Sequence, residues 1–150
     1  MSYVPYAPNA QGLTEALIDL KNAFPGIVAQ KVTGYETTAF ENLNQGDAVY
    51  SRASDRQIGK AIASSTLDKA IVAGFVETNV SQGQTARVIV AGAIANSGLD
   101  AGDEYFLSAA SAGAVVKTPP SSAGQYVVRV GEAVNTAQLV IRIEPPILLS

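Results

Sequence analysis

The sequence predicts a mainly β protein, a small barrel or sandwich built from two related β-units, with an extended N-terminal segment and one short amphipathic helix ahead of them. Three observations lead there. From residue 27 onward, short β-branched runs alternate with Gly, Asn, Ser and Pro, the grammar of many strands joined by turns. A pattern around Leu43 returns around Leu99, a period of about 56 residues. Hydrophobic residues make up 47% of the 150 and charged residues 15%, enough apolar side chain for one sizeable core and too much for a disordered chain.

Residues 1–12 carry Tyr3, Val4, Pro5, Tyr6 and Pro8 among small polar residues, a composition of extended chain. Leu13, Ala16, Leu17 and Leu20 then recur at helical spacing. Glu15 lies early, Lys21 late, and Pro25-Gly26 is a stop, so the spacing predicts a helix over 13–23. Such a helix faces the core in one reading and seats on a partner or on neighbouring copies in the other; on the second, residues 1–26 form an anchoring arm and helix. Tyr3, Val4, Tyr6, Leu13, Leu17 and Leu20 are its candidate contacts with a partner or with neighbouring copies.

Strands are expected at 27–33, 48–51, 57–63, 70–77 and 86–94 in a first β-unit spanning 27–97. In a second unit spanning 98–150 they are expected at 104–108, 114–118, 125–133 and 138–143. Val88-Ile89-Val90 and Leu139-Val140-Ile141 do not alternate, which predicts strands covered on both faces or buried between subunits. Each repeat opens with a Gly-Asp turn, Leu43 to Tyr50 in the first and Leu99 to Phe106 in the second, after which an aromatic-bearing strand enters the core. Later, Gly74-Phe75-Val76 before Arg87 to Val90 parallels Gly131-Glu132-Ala133 before Gln138 to Ile141.

The chain has no His and no Cys, which removes Ser-His-Asp and Cys-His catalysis, imidazole relays, thiolate metal sites and disulfides. The remaining chemical candidates are thin. Ser65 and Thr66 lie near Lys69 on an expected loop with no helix to align them, a solvated turn more than a Ser-Lys pair. Asp100, Asp103 and Glu104 form the densest acidic group, but their spacing is not that of a calcium loop and suits a turn. Gly59-Lys60 lacks the flanks of a phosphate loop, and Asn79-Val80-Ser81 has the form of a glycosylation sequon in a chain that opens with no secretory leader. Tyr105, Phe106 and Tyr126 could be imagined as a sugar platform, though isolated strand aromatics are usually core. No catalytic, metal or cofactor residues are assigned. The net charge of −3 is scattered, which argues against nucleic acid, and no run approaches the ~18 apolar residues of a membrane span.

The run Ala101 to Ser108, the corner Lys117-Thr118-Pro119-Pro120-Ser121, the strand Gly124-Gln125-Tyr126 leading to Val130-Gly131, and the closing Glu144-Pro145-Pro146-Ile147 resemble a module common in tailed-bacteriophage structural proteins. The likeness covers about the last 50 residues. Ala70 to Val76, in the first unit, is similar to a strand of small capsid-cement barrels. The resemblance implies an all-β, non-catalytic virion protein that assembles as a homotrimer. A capsid decoration protein on the head exterior, made in the host cytoplasm and bound to the major capsid protein, is the first expectation. A head-fibre or tail-associated fibre protein that touches the host surface is the alternative, and a carbohydrate-active module is the third.

Overall fold

The computed structural model describes residues 32–150, with twelve strands and one helical turn among them. The helix expected at 13–23 and the contacts Tyr3, Val4, Tyr6, Leu13, Leu17 and Leu20 lie outside the described residues, as does most of the strand expected at 27–33.

The first sheet contains β1 (Thr33–Thr38), β2 (Ala48–Ser51), β3 (Ile58–Lys60), β4 (Gly74–Val76) and β5 (Thr85–Ala91), ordered β1-β5-β4-β2-β3 with every pair antiparallel. Its two edges meet: Ala39 forms a parallel bridge with Ile58, and the Phe40 N–H donates to the Ile58 carbonyl at 3.0 Å. The sheet thereby closes on itself around Ala39, Leu43, Val49, Ile58, Val76, Val80, Ala86 and Val88. Val49, Val76 and Val88 point into this small barrel, while Ala48, Tyr50, Phe75 and Ile89 point out of it, into a second core. Two apolar faces on one strand are what the unbroken run Val88-Ile89-Val90 records.

The second sheet contains β6 (Ala93–Ala95), β7 (Glu104–Leu107), β8 (Val115–Val116), β10 (Arg129–Asn135) and β11 (Gln138–Ile141), ordered β6-β11-β10-β7-β8. Two further strands, β9 (Tyr126–Val127) and β12 (Ile147–Leu148), pair only with each other. Counted in chain order within each sheet and leaving out β9, both sheets run first, fifth, fourth, second, third.

The turns that open the two sheets match bond for bond. The Asp47 N–H reaches the Asn44 carbonyl at 3.0 Å as the Asp103 N–H reaches that of Asp100 at 3.2 Å. The Gly46 N–H bonds the Val76 carbonyl at 2.9 Å as the Gly102 N–H bonds that of Ala133 at 2.7 Å. Gly46 and Gly102 both sit at φ +87°, a left-handed conformation that disfavours a side chain. Gly74 and Gly131 also correspond: a Cβ on Gly74 would lie 2.5 Å from the Ile89 carbonyl oxygen, and one on Gly131 would press on that of Val140. Both sequence repeats therefore encode the same strand path.

The sheets share one core. The outward face of the first barrel, with Ala61, Ala63, Ala70 and Val72, meets Ile94, Tyr105, Leu107, Val130, Leu139 and Ile141 of the second sheet, and the described residues fall in one compact unit. Each large side chain buried there contributes about 1.5–3 kcal/mol.

Several expected strands change shape. The strand at 86–94 divides at Gly92, whose φ of +101° lets the chain leave the first sheet as β5 and enter the second as β6. The strand at 125–133 divides at Val128, so that β9 turns away to pair with β12. The strand at 70–77 begins instead as a helical turn, α1 (Leu67–Ala70), with Asp68 and Lys69 placed favourably for its dipole, and becomes strand only at Gly74. β1 begins where the strand at 27–33 was expected to end, and β12 was not expected.

Candidate functional site

The chemical candidates resolve into structural roles. The Lys117 ammonium donates to Asp100 at 2.5 Å and lies 3.6 Å from Asp103, and Glu104 pairs with Arg129 at 2.8 Å, so the acidic group is matched by cations of the same chain. Hydrogen bonding to Asp100 holds the Lys117 pKa above its ordinary value. Among the described residues no three acidic side chains converge as metal ligands would. Tyr105 is buried and its hydroxyl accepts the Asp100 N–H at 2.8 Å, while Phe106 lies on the opposite face of β7 and Tyr126 packs on the shared core. The three aromatics form no common platform.

Thr66 caps α1 by position, without a side-chain bond, and Lys69 sits in its last turn. Gly59 lies beneath the Phe40 ring, which meets Tyr50 edge-on with centroids 5.9 Å apart and carries the Arg52 guanidinium 4.1 Å above it. Lys60 gives its backbone N–H to Glu41 at 2.8 Å, so Gly59-Lys60 is a packing element. Asn79, first residue of the sequon, accepts the Gln45 N–H at 2.7 Å and holds the first turn in place. Asp47 accepts the Asn44 N–H at 2.8 Å; burial raises its pKa, and that hydrogen bond opposes the rise.

What remains without an intramolecular purpose is an apolar surface. Leu67 and Ile71, one helical step apart at either end of α1, are 49% and 47% exposed. A depression of about 340 Å³ brings Ile71 and Val72 beside Ile143, Glu144, Pro145 and Pro146. The chain then runs into β12, where Ile147 and Leu148 are 63% and 59% exposed. Arg129 clamps this C-terminal run to the second sheet: it bonds Glu144 at 3.2 Å, and its carbonyl accepts the Glu144 N–H at 2.9 Å. An apolar strip held in place by its surroundings is suited to being covered by protein.

Sequence reasoning placed the candidate contacts in the N-terminal arm and passed over Leu67 and Ile71. A signal was present: Ser64-Ser65-Thr66 followed by apolar residues four apart has the form of a capped helix start. The juxtaposition of α1 with Pro145-Pro146 had no local signal, because it joins segments more than 70 residues apart. In comparisons with protein-family models and with curated proteins, this chain matches none.

Proposed function

We propose that this protein is a non-catalytic decoration, or cement, protein of a bacteriophage head, which binds the outside of the shell formed by the major capsid protein. The observation that carries the reading is the exposed apolar strip of Leu67, Ile71, Pro145, Pro146 and Ile147 on a body stiffened by two sheets sharing one core. The resemblance of the last 50 or so residues to phage structural modules supplies the class of partner, the head as its place in the virion and the homotrimer as the expected assembly. Its work is linkage: a ligand that binds only the assembled shell stabilises that state, by about 2.7 kcal/mol per site at a hundredfold excess over Kd.

The test mixes purified protein with undecorated heads and with host cells, and reads saturation by sedimentation and regular density by electron microscopy. Saturable, ordered binding to heads is expected, together with its loss in a Leu67→Asp, Ile71→Asp variant that melts as the parent does. Binding to cells and not to heads would overturn the proposal.

A further inference from the structure

The chain is pinned at Glu144 and loosely held after it. The Glu144 N–H donates to the Arg129 carbonyl at 2.9 Å, and its carboxylate bonds the Arg129 guanidinium at 3.2 Å. Pro145 and Pro146 follow, whose rings hold φ at about −65° and keep the chain extended. Beyond them runs Ile147-Leu148-Leu149-Ser150, with three large apolar side chains, no charged side chain and no buried residue. Ile147 and Leu148 stay 63% and 59% exposed although β12 is paired with β9. Folding β12 back on its own chain thus satisfies main-chain groups and leaves its apolar side chains in water.

The strand it pairs with stands without it. The Tyr126 N–H points the other way, to the Ala63 carbonyl at 2.9 Å, and the Tyr126 side chain packs on the shared core. Just beyond β9, Val128 is fully buried and its carbonyl accepts the Leu107 N–H at 2.9 Å. Only the remaining edge of β9 depends on the tail. There Ile147 lies opposite Val127 and Leu148 opposite Tyr126. The Gly124 N–H donates to the Leu149 carbonyl at 2.8 Å, and the Leu149 N–H to the Gln125 carbonyl at 2.9 Å. β9 is therefore an acceptor edge anchored by the body, and β12 a short donor strand joined to the body through two stiff residues.

We infer that β12 is an exchanged strand, which in the assembled protein lies on β9 of a second copy of this chain. The fit already present identifies the occupant, because every hydrogen bond of the β9–β12 pair is made unchanged when the two strands come from different copies. Exchange therefore sacrifices no main-chain bond, and it adds a second body. Four extended residues span only about 13 Å, so the two bodies must meet beside the ribbon and cover apolar side chains that the closed form leaves in water. The prolines limit the freedom the tail has to lose on reaching across, and without charged side chains the tails of two copies do not repel. Leu67 and Ile71, on α1, take no part in the exchange. The inference deepens the self-association in the proposed reading and rests on it, but not on head binding.

The protein has no cysteine, so an engineered disulfide reports which chain each strand belongs to. Residues directly opposite in an antiparallel pair stand about 4.5–5.5 Å apart, within the span of a disulfide. Tyr126→Cys with Leu148→Cys, and as a second variant Val127→Cys with Ile147→Cys, are purified reduced, checked for melting near the parent, oxidised without heads and resolved on a denaturing gel. Chains linked to one another are expected as the main product of the double variants, with nothing larger than a linked pair from any single-cysteine control. The parent should sediment as an oligomer. Monomers closed by an internal disulfide would overturn the exchange, as would failure of both double variants to oxidise, or a parent that sediments as a monomer. Linked chains from a protein that ignores heads would uphold the exchange and overturn the decoration reading. Internally closed monomers that still saturate heads would overturn the exchange and uphold the decoration reading.

Discussion

Adding a single methyl group at Gly74 or at Gly131 tests both the duplicated strand path and the shared core. At Gly74 the new Cβ would stand 2.5 Å from the Ile89 carbonyl oxygen and 2.6 Å from Val88 Cγ1; at Gly131 it would press on the Val140 carbonyl. A flexible side chain could swing aside, but a ladder carbonyl cannot move without breaking pairs along its strand. Overpacking usually costs 1–3 kcal/mol, and a backbone obstacle places both variants at about 3. For a folded body of this size, about 4 °C is lost per kcal/mol, so each alanine should lower the melting temperature by about 12 °C. Calorimetry with near- and far-ultraviolet circular dichroism would measure it. Because Phe75 and Ile89 of one sheet share a core with Tyr105 and Leu139 of the other, each variant should still melt in one transition that all probes report together. Two separate transitions, or a shift of less than about 3 °C for both variants, would refute the reasoning.

Phe75→Ala removes the largest fully buried side chain at the junction of the two sheets and should cost about 3–5 kcal/mol in urea unfolding, with the m-value unchanged. Asn79→Ala leaves the Gln45 N–H to water and should cost about 1 kcal/mol, a modest fall in melting temperature. Asp47, with its pKa raised by burial, binds its proton more tightly folded than unfolded. Its share of the stability is therefore full below the ordinary carboxylate range and is lost as pH rises through the raised folded value. Asp47→Asn, which keeps an acceptor for the Asn44 N–H, should flatten that pH dependence and equal or exceed the parent at neutral pH; Asp47→Ala should fall below it, and melting curves from pH 3 to 8 distinguish the two.

The duplicated strand path was legible because its markers are local. A left-handed glycine at 46 and at 102, an acidic residue after each and a buried Leu three places ahead are all requirements of a turn made within a few residues. The doubly apolar runs were legible too, since a strand covered on both faces cannot alternate. The break at Gly92 was harder to see, because Val88 to Ile94 is apolar throughout and one glycine within it reads equally as a bulge or a bend. The helical turn at Leu67–Ala70 was hidden by its brevity, one turn offering too few residues for a period.

By itself, then, the sequence determined the β character, the repeated Gly-Asp turn and the lack of imidazole and thiol side chains, all of which follow from residue type and short spacing. Tertiary structure decided the rest. The apolar strip exists because α1 and the Pro145-Pro146 tail are brought together over the shared core. The first sheet closes because Ala39 reaches Ile58 across its two edges. Whether two edges of a curled sheet meet depends on the summed twist and length of all its strands, and no local rule of composition or spacing carries that sum.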